Sequence, residues 1–351
     1  MTSRQRVLTA FAHQEPDRVP CWCGASPEFW DNAKNVLNLD DEGLRRRLGD
    51  DFRRVYARYV GPEFELSPGV SCRTPFGIEH AGVGYGQPTS HPLADASLKE
   101  VHDYSWPDPC WWDVSNVPAD AERYHKQYAI LGGDWSPFWH DLIDLLGMEN
   151  MCLKMYDEPE LVDAVLGHLV DFYFDISRRT FAAAADALDV FFIGNDLGSQ
   201  TGPLLGVGLF QRFILPHLKK FIDLGHCYHL KVMLHCCGGF AELIPLLIEA
   251  GLDGLHAVQP GCRGMDLRKL KAEFGDKILF NGAIDSQKVL IEGNPELVKQ
   301  KTKEVLDIMM PGGGYIAGAS HDYLLEETPL ENVLAMFDTV REYGVYHGMV
   351  R

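Results

Sequence analysis

A histidine and a cysteine separated by one residue follow an apolar stretch near the middle of this 351-residue chain. His235 and Cys237 come directly after residues 231–234, which are predicted to form a strand. Residues i and i+2 of a strand point to the same side, so the imidazole and the thiol can face one ion. Nitrogen and sulfur donors together favour Zn²⁺, but two ligands leave such a site incomplete. The alternative is that His235 is a hydrogen-bonded core histidine beside small buried thiols.

Two carboxylates and a further histidine also come shortly after predicted strands. Asp196 and Asp285 can each act as a general base or a metal ligand, or can instead cap a turn or a helix. His321 follows the last predicted strand, where a histidine can ligate a metal or transfer protons. Asp196 and Asp285 are therefore candidate catalytic residues, and His321 is a candidate metal ligand.

Large rings and amides near strand ends are candidates for substrate contacts. The amides are Gln200 and Gln259, and the rings are Trp22, Trp135 and Trp139. Such side chains can line a pocket for an apolar or aromatic group. Aromatic residues at this spacing also commonly belong to a protein core, and that alternative stays open.

Strands and helices alternate from about residue 127 onward. The predicted strands are 129–131, 189–193, 231–234, 254–258, 278–280 and 314–317. Helices are predicted to start at Asp157, at Asn294-Pro295 and at the Thr328–Glu331 capping box, and the helix over 240–250 is predicted to end at Gly251. Near-continuous apolar strands alternating with helices imply a parallel sheet covered by helices.

The polar residues cluster at the carboxyl ends of these strands, which form the active-site rim of a (β/α)₈ TIM barrel. The Gly-rich phosphate fingerprint typical of a doubly wound open sheet does not occur in the sequence. The expected fold class is therefore α/β, as a TIM barrel formed by one domain over residues 1–351.

Residues 1–126 are less regular and predict an N-terminal cap or insertion. A first barrel strand is predicted near 19–23, helices are predicted from Ser26-Pro27 and over 40–48, and hairpins are predicted within 72–91.

The composition excludes several classes of protein. The 50 Asp+Glu outnumber the 32 Lys+Arg, and a formal net charge of −18 argues against nucleic acid or an anionic membrane as partner. No apolar run approaches the roughly 18–20 residues that span a bilayer. Nine scattered cysteines fit free or metal-bound thiols in a reducing compartment, so we expect a cytoplasmic protein.

The order and spacing of these motifs resemble the uroporphyrinogen decarboxylase superfamily over nearly the whole chain. The segments that carry the resemblance are 4–20, 196–198 with Gln200, 235–238, 259–260, 280–285, 312–315, 320–321 and 328–332. The resemblance implies a (β/α)₈ barrel, in agreement with the strand and helix pattern.

The superfamily has a decarboxylase branch and a methyltransferase branch. Decarboxylases carry an Arg-rich segment after the first strand, whereas residues 21–28 of this chain contain no arginine. The methyltransferases work with corrinoid proteins and bind zinc through His-x-Cys and a later cysteine. His235 and Cys237 match the first two ligands, but the later position is occupied by Ala319, Ser320 and His321. We hypothesise that His321, or a carboxylate such as Asp196, completes the site.

The resemblance therefore implies a methyltransferase that moves a methyl group between a small methylated or methoxylated substrate, or a thiol acceptor, and the cobalt of a corrinoid. The corrinoid is carried by a partner protein, and zinc acts as a Lewis acid. One alternative is a metal-free decarboxylase or lyase of a small acid that uses Asp196 or Asp285. Another is a non-catalytic barrel that binds a small ligand. A homodimer is one possible oligomeric state.

Overall fold

Seven parallel strands form the central sheet in this computed structural model, which describes residues 1–82 and 86–346. They are β1 (Phe52–Arg54), β2 (Ala129–Gly132), β3 (Val190–Gly194), β4 (Lys231–His235), β5 (Gly254–Val258), β6 (Leu279–Ile284) and β7 (Tyr315–Ala319). Each strand pairs with its neighbour in chain order. The six strands predicted from residue 127 onward are all present, with ends that differ by a few residues.

A short segment at residues 20–22 closes this sheet into a barrel. Cys21 forms a parallel bridge with Ala317 of β7, and the Trp22 amide donates to the Ala317 carbonyl at 2.9 Å. On the other side, the Asp51 amide donates to the Cys21 carbonyl at 3.0 Å. The segment therefore takes the place of an eighth strand between β7 and β1, in agreement with the predicted barrel. The strand predicted near 19–23 is reduced to an isolated bridge at Cys21.

Fourteen helices surround the barrel or build its cap within the described residues. They are α1 (Ser3–Phe11), α2 (Pro27–Leu37), α3 (Asp41–Leu48), α4 (Leu98–His102), α5 (Val117–Glu122), α6 (Phe138–Leu146), α7 (Met148–Asp157), α8 (Pro159–Ala184), α9 (Val207–Leu209), α10 (Leu215–Cys227), α11 (Ile244–Glu249), α12 (Leu267–Phe274), α13 (Pro295–Met309) and α14 (Leu330–Tyr343). No helix in the described ranges is long and apolar enough to cross a membrane.

Side-chain caps explain where several helices begin. The Ser26 hydroxyl accepts from the Phe29 amide at 3.2 Å, and Asn294 Oδ1 accepts from the Leu297 amide at 3.0 Å, as the sequence predicts. The capping box predicted at Thr328 is wrong. Pro329 occupies the cap position of α14 and makes no side-chain cap bond, because proline has no polar side-chain atom to offer.

Two other predicted boundaries move by a few residues. Asp157 ends α7 instead of starting the next helix, and α8 begins at Pro159. The helix predicted over 240–250 is a 3₁₀ turn, Ala241–Leu243, followed by α11. Gly251 follows with φ +95°, as predicted for the residue at which that helix stops.

The N-terminal part contributes small antiparallel sheets to the cap. Arg58–Tyr59 pairs with Trp112–Asp113, and Cys72–Arg73, Glu79–Ala81 and Gln87–Pro88 form a three-stranded sheet. The hairpins predicted within 72–91 are therefore present, except that residues 83–85 of that prediction lie outside the described residues.

The barrel interior and the layer between strands and helices are separate apolar cores. Phe52, Leu131, Phe192, Met233 and Ile316 belong to the interior cluster. Side chains of a strand alternate between its two faces, so Arg54, two positions after Phe52 in β1, also points toward the barrel axis. The carboxyl ends of the strands therefore present their side chains at one open end of the barrel.

Candidate metal centre and substrate pocket

Three donor side chains converge at the carboxyl ends of β3 and β4. The ligand atoms of Asp196, His235 and Cys237 all lie within 4.8 Å of one another. Cys237 Sγ lies 3.2 Å from His235 Nε2, and His235 Nε2 lies 3.4 Å from Asp196 Oδ1. His235 is 3% exposed, whereas Asp196 and Cys237 are partly exposed, so the cluster has one buried side and one open side.

The donor set and its spacing fit zinc. Zn–N bonds of about 2.0–2.1 Å and Zn–S bonds of about 2.3 Å put neighbouring donors of a tetrahedral site about 3.4–3.6 Å apart. The observed separations of 3.2 and 3.4 Å are close to those values. Three protein ligands also leave a fourth position for a substrate atom, as in catalytic zinc sites.

Two glycine-containing loops hold the three donors together. The Cys237 amide donates to Asp196 Oδ1 at 2.7 Å, which ties the loop after β4 to the loop after β3. At Gly238, which has φ +84°, an added Cβ would lie 2.7 Å from the backbone of Gly198. The Gly238 amide also donates to Gln259 Oε1 at 3.1 Å, so a side chain predicted to bind substrate instead supports this loop.

Cys236 faces away from the three donors. Its thiol is fully buried and accepts from the Leu197 amide at 3.3 Å. Burial raises the pKa of the Cys236 thiol well above its usual value, and the carboxylate of Asp196 adds to that rise. Only Cys237 of the adjacent cysteines is therefore placed as a ligand.

The other ring nitrogen of His235 faces a second histidine. His235 Nδ1 lies 2.9 Å from Nδ1 of His256, a fully buried residue of β5. Asp322 completes a second group in which the ligand atoms of His235, His256 and Asp322 lie within 4.8 Å of one another. Burial lowers the pKa of His256 well below its usual value, and the cations of His235 and Arg54 lower it further. A neutral His256 can accept a hydrogen bond from His235 Nδ1.

The electrostatics of the three donors are coupled. Burial alone would raise the pKa of Asp196, but hydrogen bonds from His140 and His235 outweigh burial and lower it. Burial alone would lower the pKa of His235, yet Cys237 and Asp196 raise it well above its usual value. In the metal-free protein Cys237 and Asp196 therefore stabilise the protonated, positively charged form of His235.

Not all predicted site residues join this cluster. His321 Nδ1 lies 2.9 Å from the Tyr323 carbonyl, and His321 belongs to neither donor group among the described residues. Asp285 Oδ1 accepts from the Gln287 and Lys288 amides at 2.9 and 2.8 Å, so this carboxylate caps a helical turn, the alternative left open from the sequence. Asp196, and not His321, is thus within reach of the His235–Cys237 pair.

The predicted substrate-binding residues divide in a similar way. Trp139 is fully buried in the outer core and does not line the barrel mouth, whereas Gln200 is exposed on the loop after β3 and its role stays a prediction. Trp22 and Trp135 do flank the cluster, because their rings lie 4.7 Å from His256 and 5.3 Å from His235. The ring of Trp135 lies across Gly194, where an added Cβ would meet it at 1.9 Å.

Four residues of the site were not identified from the sequence. His140 Nε2 lies 3.2 Å from Asp196 Oδ2, His256 and Asp322 lie beside His235, and Arg54 lies at the mouth of the barrel. The position of His256 within an apolar strand is the one local signal that could have found it. Arg54 ends a strand that the sequence did not predict.

A known protein family matches most of the chain. The family described as uroporphyrinogen decarboxylase (URO-D) matches residues 121–343. Among curated relatives, a methylcobamide:CoM methyltransferase MtbA from Methanosarcina mazei is 22% identical over 97% of this chain and 98% of its own length. The protein of the same name from Methanosarcina acetivorans is also 22% identical. That match covers 64% of this chain and 61% of the relative's length.

The chain is also similar to a decarboxylase and to a solved methyltransferase structure. A uroporphyrinogen decarboxylase from Alkalilimnicola ehrlichii is 26% identical over 75% of this chain and 71% of its own. A solved structure described as a methyltransferase from Methanosarcina mazei has a TM-score of 0.69 at 19% identity, covering 98% of this chain and 99% of that chain. The barrel fold is thus shared over essentially the whole chain.

Proposed function

This chain belongs to the uroporphyrinogen decarboxylase family, and from that premise we propose that it is a zinc-assisted, corrinoid-dependent methyltransferase. It moves a methyl group between a small methylated or methoxylated substrate, or a thiol acceptor, and the cobalt of a corrinoid bound to a partner protein. The names of the two MtbA relatives support this direction within the family.

The convergence of Asp196, His235 and Cys237 is the observation that carries the proposal. Their nitrogen, sulfur and oxygen donors lie within 4.8 Å of one another, at the end of the barrel where enzymes of this fold place their chemistry. When bound, zinc supplies Lewis acidity to the substrate atom that carries or receives the methyl group, and the corrinoid supplies the cobalt to which the methyl group is transferred.

The protein's own residues position the reactants. His140 and the Cys237 amide hold Asp196 through contacts of 3.2 and 2.7 Å, and His256 Nδ1 lies 2.9 Å from Nδ1 of His235, where it can accept a hydrogen bond. The rings of Trp22 and Trp135 flank the cluster, where they pack against His256 and His235. In the thiol direction the acceptor becomes a thioether and releases its proton.

The proposal assigns no catalytic role to Asp285. Asp285 Oδ1 caps the turn Ser286–Ile291, and Asp285 belongs to neither donor group among the described residues. Asp196 serves as a metal ligand instead of as a free general base.

The test uses free methylcobalamin in place of the corrinoid protein. We expect the zinc-loaded chain to accelerate demethylation of methylcobalamin by a thiol, or formation of methylcobalamin from cob(I)alamin and a methoxylated aromatic compound. The change in cobalamin absorbance reports the rate in both directions. Cys237→Ser and Asp196→Ala should abolish the acceleration, whereas Cys236→Ser, the matched neighbouring cysteine, should retain it. No acceleration in either direction, or an active Cys237→Ser variant, would contradict the proposal.

A further inference from the structure

An arginine at the mouth of the barrel forms no salt bridge among the described residues, although its charge acts on the Asp134 carboxyl, where it opposes the rise in pKa that burial causes. Arg54 ends β1, and its side chain makes no ion pair and no hydrogen bond within residues 1–82 and 86–346. The preceding Arg53 points to the opposite face of the strand and pairs with Glu42 at 2.8 Å. Of these two adjacent arginines, only Arg53 forms a salt bridge among the described residues.

Aromatic rings surround the Arg54 guanidinium. Its Cζ lies 4.6 Å from the ring centroid of Phe192, 5.2 Å from that of Tyr56 and 5.5 Å from that of Trp135. Such contacts engage the flat faces of a guanidinium and leave its N–H edges free to donate. Holding a half-buried cation among rings is costly unless an anion completes its surroundings.

A pocket of about 290 Å³ opens beside this guanidinium. Among its lining residues, Arg45 pairs with Asp50 at 2.8 Å and Arg53 pairs with Glu42, so Arg54 is the lining arginine that remains unpaired among the described residues. Asp322 also lines the pocket, but its carboxylate belongs to the group with His235 and His256. The pocket therefore presents one available cation together with apolar rings.

The pocket adjoins the candidate metal centre. The Trp135 ring lies between the two sites, with its centroid 5.5 Å from the Arg54 guanidinium carbon and 5.3 Å from the ring of His235. Trp22 lines the pocket and packs against His256. Asp322 also lines the pocket and belongs to the group with His235 and His256, so the pocket borders the residues that surround the candidate metal centre.

We infer that Arg54 binds an anionic oxyacid group of the methyl donor or acceptor, so that the substrates are small molecules with a carboxylate, sulfonate or phosphate group and an apolar body. This inference rests on the proposed function and specifies its substrate class. The planar fork of a guanidinium matches paired oxygens of such groups. The pocket volume of about 290 Å³ suits one aromatic ring or a short chain.

The experiment compares anions with a neutral molecule of the same shape. The full-length chain is titrated calorimetrically with 3-methoxybenzoate, 3-methoxybenzenesulfonate, 3-methoxyphenyl phosphate and the uncharged 3-methoxybenzamide. The variants are Arg54→Gln, Arg54→Lys and the control Arg58→Gln, which changes an exposed arginine of the cap. Unfolding temperatures confirm that each variant is folded.

At least one anion should bind the wild type at least about 10-fold more tightly than the amide. Arg54→Gln should weaken that anion about 10- to 100-fold and leave the amide unchanged, because a charge-assisted hydrogen bond is lost. Arg54→Lys should retain part of the preference, and Arg58→Gln should match the wild type. The inference is overturned if no anion binds the wild type more tightly than the amide, or if Arg54→Gln keeps the preference.

The same titration separates this inference from the proposed function, since it contains no corrinoid and measures no methyl transfer. Arg54-dependent anion binding by a chain that fails in the methylcobalamin assay would refute the proposed reaction alone. Methyl transfer without an anion preference would refute the substrate class alone.

Discussion

His235 connects the metal-binding cluster to the barrel interior through its two ring nitrogens. Nε2 faces Cys237 and Asp196, whereas Nδ1 faces His256 at 2.9 Å. A metal-bound Nε2 carries no proton, so Nδ1 must carry it and donate to His256. Hydrogen bonds of this kind fix the tautomer and orientation of a ligating histidine.

Replacing His256 tests that role. In His256→Leu the Nδ1 proton of His235 loses its acceptor, and we expect the zinc dissociation constant to rise about 10- to 100-fold. Competition with a chromogenic chelator measures the constant, and the unfolding temperature identifies any general loss of structure. An unchanged constant in a folded variant would show that His256 only fills space.

Zinc binding should also release protons in a pH-dependent manner. The pKa of His235 lies well above its usual value in the metal-free protein, because Cys237 and Asp196 outweigh the effect of burial. The ring is therefore protonated at neutral pH, and zinc must displace that proton. Zinc affinity should rise with pH across the neutral range. Calorimetry at pH 7 in two buffers of different ionisation enthalpy measures the proton count, and a count of zero would contradict this prediction.

At the scale of elements, the loops after β3 and β4 bring the donors together because their backbones touch. Gly238 has φ +84°, and its amide nitrogen bonds to Gln259 Oε1 at 3.1 Å. The neighbouring Gly239 amide donates to the Ser199 carbonyl at 2.7 Å. The position of Asp196 relative to Cys237 thus depends on glycine at the loop contact.

Gly238→Ala should disturb that contact. The new Cβ would lie 2.7 Å from the Gly198 backbone in a conformation that favours glycine, so we expect a loss of about 1–3 kcal/mol of stability and reduced zinc occupancy. Gly206→Ala is the control, since its added Cβ meets nothing within 4 Å and should change stability by less than about 0.5 kcal/mol. Urea unfolding and metal analysis measure both effects, and equal behaviour of the two variants would contradict the expectation.

The elements differ in how far the sequence predicts them. The strands from β2 onward are apolar runs with clear flanks, whereas β1 contains Arg53 and Arg54, and Arg53 is tolerated only because Glu42 pairs with it. Strand alternation predicts that His235 and Cys237 face one side. Strand alternation does not predict which loop bends toward the His235–Cys237 pair, so the sequence leaves Asp196 and His321 as alternative third ligands. The distances between ligand atoms distinguish them, because Asp196 lies within 4.8 Å of both and His321 belongs to no such group among the described residues.

At the scale of the whole molecule, the seam at residues 20–22 closes the barrel around one buried carboxylate. Asp51 is fully buried and binds Arg6 at 2.7 Å and Arg18 at 2.9 Å, and it accepts from the Cys21 amide at 2.8 Å. These contacts join α1, the closing segment and the start of β1. The seam positions Trp22 and Arg54 at the barrel mouth.

Asp51→Ala should open this seam. Arg6, Arg18 and the Cys21 amide would each lose one acceptor. Although Arg6 keeps Asp17 and Arg18 keeps the Val19 carbonyl, we expect a loss of about 3–5 kcal/mol of stability. Asp171→Asn is the control, because its carboxylate is 74% exposed in a pair with Lys220 and should contribute less than about 0.5 kcal/mol. Urea denaturation compares the two, and similar midpoints for both variants would argue against the seam.

Zinc per chain in untagged protein measures whether Asp196, His235 and Cys237 bind one zinc ion. Wild type, Cys236→Ser and His321→Ala should each hold about one zinc after reconstitution under reducing conditions. Asp196→Ala, His235→Ala and Cys237→Ser should hold far less. Absence of zinc from the wild type, or full occupancy in any of those last three variants, would show that these three residues do not together bind the ion.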